Sequence, residues 1–199
     1  MYPLQVCSRK LRSSVSMAYI DDLSKRYRRY IAHPWKANLA GAERTVFVVY
    51  DKTKERQLRA RMGLFELATK ECGHGWALCD ITRSFGQWIA SLEYRESYYE
   101  SPEDLQFLLN SEFLEFLAHQ IRQVLRSAGT TTAVGLLGVG SLYGFVHVSQ
   151  LLQRIDHEIS GRLVVFFPGT YARNNYQLLD ARDGWNYLAV PVTMESPPD

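Results

Sequence analysis

Short apolar runs alternate with longer stretches of three- and four-residue spacing along most of the chain. The runs 45–50 and 163–167 are rich in β-branched and aromatic residues and apolar on both faces, the pattern of strands buried inside a sheet, and 76–81 and 133–138 read as two further strands of the same sheet. Residues 185–192, after the turn pair Asp183-Gly184, read as a further strand. Between the runs the spacing is helical. Tyr19, Ile20, Leu23, Tyr27, Tyr30 and Ile31 place a stripe on a helix that starts near Met17 and stops at Pro34. Asp51 is positioned to cap a helix over about 53–71, with Leu58, Met62, Phe65 and Leu67 or Ala68 inward. A short helix carries Phe85, Trp88 and Ile89. Ser101-Pro102 opens one long helix through Leu105, Leu108, Leu109, Phe113, Phe116, Leu117, Ile121 and Leu125, and another helix spans 141–154. Strands and helices alternating in this way predict an α/β fold: a largely parallel sheet of about five strands, right-handed crossovers, and helices on both faces.

The segment 162–193 carries the densest signal. Its apolar run is stopped by Pro168-Gly169, and Tyr171, Arg173, Asn174, Asn175 and Tyr176 then crowd the point where the chain leaves the sheet. Open α/β folds carry binding surfaces at such exits, which makes this a candidate ligand or partner loop. A structural role is the alternative, with the asparagines capping a turn and Tyr171 packed on the sheet edge.

A chain of 199 residues, 46% of them hydrophobic, supports one core. The expected organisation is a flexible extension over 1–16, one α/β domain over 17–193 and a loose tail over 194–199. No apolar stretch reaches the roughly 18 residues of a membrane span, and the N-terminus has no signal-peptide run, so a cytoplasmic protein without membrane contact is expected. Cys7, Cys72 and Cys79 form an odd set without framework spacing, which fits reduced thiols. The formal charge is +2, but Arg9, Lys10 and Arg12 supply three positive charges, leaving −1 from Met17 onward. A nearly neutral body without a groove-reading motif does not favour nucleic acid as the partner.

Candidate chemistry is sparse. The turn GLLGVGSLYGF from Gly135 has the composition of a phosphate cradle. A P-loop, however, needs a lysine before Ser141, and a dinucleotide fingerprint needs glycine where Tyr143 stands. A tight turn in which Gly138 and Gly140 let strand and helix pack closely is the plainer reading, with anion binding beside Ser141 the alternative. Ser141 also lacks the flanking glycines of a nucleophile elbow. His74, between Cys72 and Cys79, has neither a paired-cysteine motif nor a fourth ligand for zinc, and His147 and His157 have no acidic partner at telling spacing. No catalytic residue, metal or cofactor is assigned.

Charge is uneven although its sum is small. From Asp21 to Met62 there are eleven Lys or Arg against five Asp or Glu, and from Glu93 to Glu115 seven acids against Arg95. Solvated helix faces explain many such runs, but opposed patches also steer protein partners. Tyr94, Tyr98 and Tyr99 beside this acidic stretch add the aromatic component of interface hot spots, with Tyr98, Tyr99, Glu100 and Glu103 the candidate partner surface.

Three stretches, GRLVVFFPGTYARNNYQLLDARDGWNYLAVPVT, AGAERTVFVVYDK and GVGSLYGFVHVSQLL, closely resemble the BrxB family of bacteriophage exclusion (BREX) systems, over 17 to about 193. The resemblance implies an intracellular bacterial phage-defence component encoded with a methyltransferase, a large ATPase and PglZ, a protein of the alkaline phosphatase superfamily. It carries over no established catalytic activity. The expected function is therefore a non-enzymatic adaptor or assembly subunit that binds other BREX components, PglZ first among them. The alternative is a phosphate- or nucleotide-binding protein with its site at the C-terminal ends of the strands.

Overall fold

The computed structural model describes residues 5–36, 38–181 and 184–194, with side chains from Ala18 onward. Helix α1 (Gln5–Ile31) leads to β1 (Thr45–Tyr50), followed by α2 (Glu55–Ala60), α3 (Met62–Glu71) and β2 (Gly75–Asp80). Next come α4 (Ser84–Ser91), α5 (Arg95–Glu100), α6 (Gln106–Leu108), a π-helical segment (Leu109–Phe113) and α7 (Leu114–Ser127). The chain ends with β3 (Thr132–Leu137), α8 (Val148–Ile155), β4 (Arg162–Ala172), β5 (Asn175–Leu178) and β6 (Val190–Val192). The strands form a six-stranded sheet in the order β2-β3-β4-β1-β6, all parallel, with β5 antiparallel to the outer part of β4. This is the largely parallel α/β architecture the periodicity predicts.

Side chains alternate across a pleated strand, and that alternation sorts the core into two layers. Phe47, Val49, Val134, Leu136, Val165 and Phe167 face a layer built from α4, α7 and α8. Val46, Val48, Tyr50, Val164 and Phe166 face α1, α2 and α3. The second layer buries one polar chain completely. Thr69 donates to Phe65 O at 2.8 Å, so the 2.7 Å bond between Tyr27 and Thr69 has the tyrosine as donor.

Several elements depart from the expectations. β4 does not stop at Pro168-Gly169 but runs on to Ala172. Its pairing with β3 ends at Val165, and the carbonyl of Pro168 accepts from Leu179 N at 2.9 Å, so the proline nitrogen faces the side that β3 has already left. A missing N–H is tolerated there. In 185–192 only Val190–Val192 joins the sheet as a strand, while Trp185 makes a single bridge to Tyr176. The rings of Trp185 and Tyr187 lie across the sheet face, 5.7 and 6.0 Å from that of Phe47, and a segment committed to covering a face cannot extend its edge.

The long acidic helix is broken as well. Leu105, Leu109, Phe113, Leu117, Ile121 and Leu125 are all buried and recur every four residues. In an α-helix that spacing overshoots one turn by roughly 40° per step. The wider π turn at Leu109–Phe113 takes up the overshoot and keeps the stripe on the core. The helix expected over 53–71 divides at Arg61 (φ −117°, ψ 16°), whose guanidinium pairs with Asp21 of α1. Of 141–154, only Val148 onward is α-helical, because Gly144 (φ 82°) ends the preceding 3-10 turn. α1 starts at Gln5, upstream of the periodicity at Met17. The side chains of the extension expected over 1–16 lie outside the described residues, as does 195–199 of the tail. No helix among the described residues is long and apolar enough to cross a membrane.

Candidate functional site

The five parallel strands deliver their C-terminal ends to one edge of the sheet, where a polar network joins β1 and β2. Asp51 Oδ1 accepts from Thr53 N (2.7 Å) and Oγ1 (2.6 Å), the cap expected of it. Asp80 repeats the arrangement with Thr82, accepting from its N at 3.0 Å and also from its hydroxyl. Arg59 Nη1 donates to Asp80 Oδ2 (3.0 Å), Nη2 to Thr82 Oγ1 (2.7 Å) and Nε to Glu55 Oε1 (2.6 Å), while Tyr50 OH donates to the other oxygen of Glu55. Burial works to raise the carboxyl of Asp80, but the Thr82 bonds and Arg59 outweigh it and hold the group below its ordinary range. Burial, joined by the Glu55 carboxylate, pushes the Tyr50 phenol upward.

A cleft of about 300 Å³ opens beside this network, lined by Lys52, Glu55, Arg59, Thr82, Gly138, Gly140, Ser141 and Pro168. Gly138 turns with φ 93°, and a Cβ on it would lie 2.5 Å from Thr82 Oγ1 and 2.7 Å from Thr82 N. A Cβ on Gly140 would meet Pro168 Cγ at 3.0 Å. Ser141 Oγ donates to Gly138 O at 2.7 Å, so the hydroxyl closes its own turn. The close approach of β2, β3 and β4 at these glycines fits the packing reading of the turn.

The candidate loop at 171–176 is the tip of a hairpin. Arg173 (φ 51°) and Asn174 (φ 63°) form its two-residue connection between the paired Ala172 and Asn175, the left-handed pair of a type I′ turn. Arg173, Asn174 and Asn175 are exposed. Tyr171 is half-buried and donates to Asn174 Oδ1 at 2.9 Å. Tyr176 is fully buried, its hydroxyl on Ala189 O at 2.9 Å and its ring 4.4 Å from Phe47, which makes it a scaffold residue for the tip. A second cleft of about 290 Å³ lies below the hairpin between Tyr19, Asp51, Lys52, Thr170, Tyr171 and Asp180, with Lys52 paired to Asp180.

On the layer built from α4, α7 and α8, the segment from Tyr94 to Phe107 presents aromatic rings to solvent. Tyr94 is 68% exposed, Tyr99 57% and Phe107 82%. Tyr98, next to Tyr99, instead packs against the core. Glu100 and Glu103 are exposed, as are Glu93, Asp104 and Glu112. Among the described residues none of these five carboxylates has an ion-pair partner. Arg95 is occupied by Glu96 and the carbonyl of Ala90, and Glu115 lies between Arg122 (2.5 Å) and Arg154 (3.0 Å). The basic stretch differs, since Lys25, Arg28, Lys52, Arg59 and Arg61 are all in ion pairs within the chain. Phe107 escapes a reading of the apolar stripe because it sits off it, two residues from Leu105 and two from Leu109. A large ring on the polar side of an amphipathic helix was the available signal.

The remaining candidates are dispersed. His74 stacks on Trp35 with ring centroids 3.8 Å apart, and the guanidinium of Arg162 covers that tryptophan at 5.0 Å. The Cys79 thiol is buried and pushed up to about 11 by that burial, with Asp80 adding. His147 and His157 are exposed. Cys7 lies outside the described side chains. Among the described residues, no group of three or more His, Cys, Asp or Glu side chains is placed to hold a metal ion.

Compared with known proteins, residues 78–191, more than half of the chain, match the model of a family described as BREX protein BrxB. The matched stretch runs from β2 into β6 and includes the acidic surface, the Gly138 turn and the hairpin. No curated protein and no solved structure matches the chain.

Proposed function

The chain belongs to the BrxB family, a component of BREX phage defence, and from that premise we propose that it is a non-enzymatic adaptor or assembly subunit whose direct partner is PglZ. The observation that carries this reading is the exposure of Tyr94, Tyr99 and Phe107 on one segment. Large aromatic side chains left in water are costly to solubility and favourable at the centre of a protein interface. The groups at the strand ends support the same reading, because Asp51, Asp80, Arg59, Glu55 and Ser141 already satisfy one another or their own turns. The hairpin tip at Arg173 and Asn174 is the second contact region.

Co-expression of the tagged full chain with the other BREX components tests the proposal. PglZ should be retained at a fixed ratio through affinity and size-exclusion steps. Retention of a different component in its place would move the assignment, and retention of none would end the adaptor reading.

A further inference from the structure

We propose that the surface formed by α5, the turn after it and α6 docks a Lys- and Arg-rich segment of a protein partner. The proposal rests on the adaptor reading and adds the chemistry of the partner.

The surface is built from both sides. Leu105 and Leu109 are buried and Tyr98 packs on the core, so the segment is anchored and the residues between its anchors must project. Tyr94, Tyr99 and Phe107 project as rings, and Glu100, Glu103 and Asp104 as charges. Carboxylates crowded in a short stretch repel one another, and among the described residues none of these three has a cation within the chain to relieve that repulsion. A basic partner supplies the relief. Guanidinium and ammonium groups also sit favourably over aromatic faces, and their aliphatic stems cover apolar rings, so one residue type satisfies both halves of the surface.

Other occupants fit less well. An apolar partner would strip water from the acids and return nothing for it. Nucleic acid would be repelled by the same charges. A second copy would have to offer its basic stretch, where five of the eleven cations, Lys25, Arg28, Lys52, Arg59 and Arg61, are already paired internally, and the test below separates that occupant from a basic partner.

The test uses the full chain and a triple variant, Glu100→Gln, Glu103→Gln and Asp104→Asn, at exposed side chains that have no ion pair among the described residues, so that the thermal midpoint should be unchanged. A fluorescent oligoarginine peptide, with oligoglutamate as control, is titrated against both proteins, and capture of BREX components is compared in parallel. The wild type should bind oligoarginine alone, with affinity falling as salt is raised, and the variant should lose about tenfold or more in both assays. Tyr99→Ala with Phe107→Ala should weaken both while leaving the salt dependence in place. Equal binding of oligoarginine by wild type and variant overturns the proposal. Component capture that is unchanged in the variant overturns it too and leaves the adaptor reading standing. Peptide binding without capture of any component retains the surface and removes the adaptor reading. A concentration-dependent dimer that is lost in the variant would make the occupant a second copy and overturn the partner named here.

Discussion

At Gly138 the chain leaves β3 with φ 93° and passes so close to Thr82 that a methyl group would press on its backbone nitrogen and hydroxyl. Two costs are combined there, a left-handed conformation that a side chain resists and a contact that cannot relax without moving β2. Gly144 separates them, because its φ is also positive, 82°, but nothing lies within 4 Å of its Cβ position. Gly144→Ala should cost about 1 kcal/mol and Gly138→Ala about 2–4 kcal/mol in denaturant unfolding. Equal costs would mean that the approach to Thr82 contributes nothing. This residue was partly legible in the sequence. A glycine-rich strand exit missing the lysine of a phosphate loop pointed to close packing, but Thr82, the neighbour that makes the approach close, is far away in the chain. Phe107 was legible and passed over: attention to the buried stripe assigns no role to a ring that lies off it, although a large ring on the polar side of the helix is itself a signal of exposure.

The elements show where local pattern suffices and where packing overrides it. β1 could be read to its ends because an apolar run bounded by polar residues leaves one way to bury both faces. The hairpin was hidden by Pro168, which reads as a stop but is harmless on the side β3 has vacated. The π segment was hidden because a four-residue repeat and a true helical repeat differ only in accumulated phase. The hairpin also yields a test. Type I′ turns favour Asn-Gly at their central pair, and here Arg173 and Asn174 occupy it with positive φ. Arg173→Asn alone, which suits the left-handed position and keeps the Tyr171–Asn174 hydrogen bond, should stabilise the protein by about 0.5 kcal/mol, raising the thermal midpoint by about 1–2 °C, while removing the exposed cation from the tip. Weaker retention of the BREX partner in a protein that melts higher would mark the tip as a contact. A lower midpoint would show that Arg173 supports the fold.

Across the whole molecule the sheet separates two layers of different character. One carries the basic helices, where Lys25, Arg28, Arg59 and Arg61 are in ion pairs within the chain, and the other carries the acidic, aromatic segment. Both layers bury tyrosines, and from their burial an alkaline limit to stability is predicted. Burial raises Tyr27, Tyr50 and Tyr176 above the ordinary phenol value, and raises Tyr187 up to about 12. A group raised in the folded state contributes stability that is intact below its unfolded value, about 10, and is lost as pH climbs from there through the folded value. The acid limit has the opposite sign: Asp51, through its Thr53 bonds, and Asp80 are held low, so their contribution disappears as pH falls through the carboxylate range. The thermal midpoint should thus hold from neutrality to about pH 10 and then fall steeply. Tyrosinate absorbance should follow unfolding instead of preceding it for the buried rings. Tyr187→Phe, which removes one of the raised groups, should flatten the alkaline limb while lowering the neutral midpoint little, since the ring remains against Phe47. If all the tyrosines ionise near pH 10 in a protein that stays folded, their burial does not set the alkaline limit.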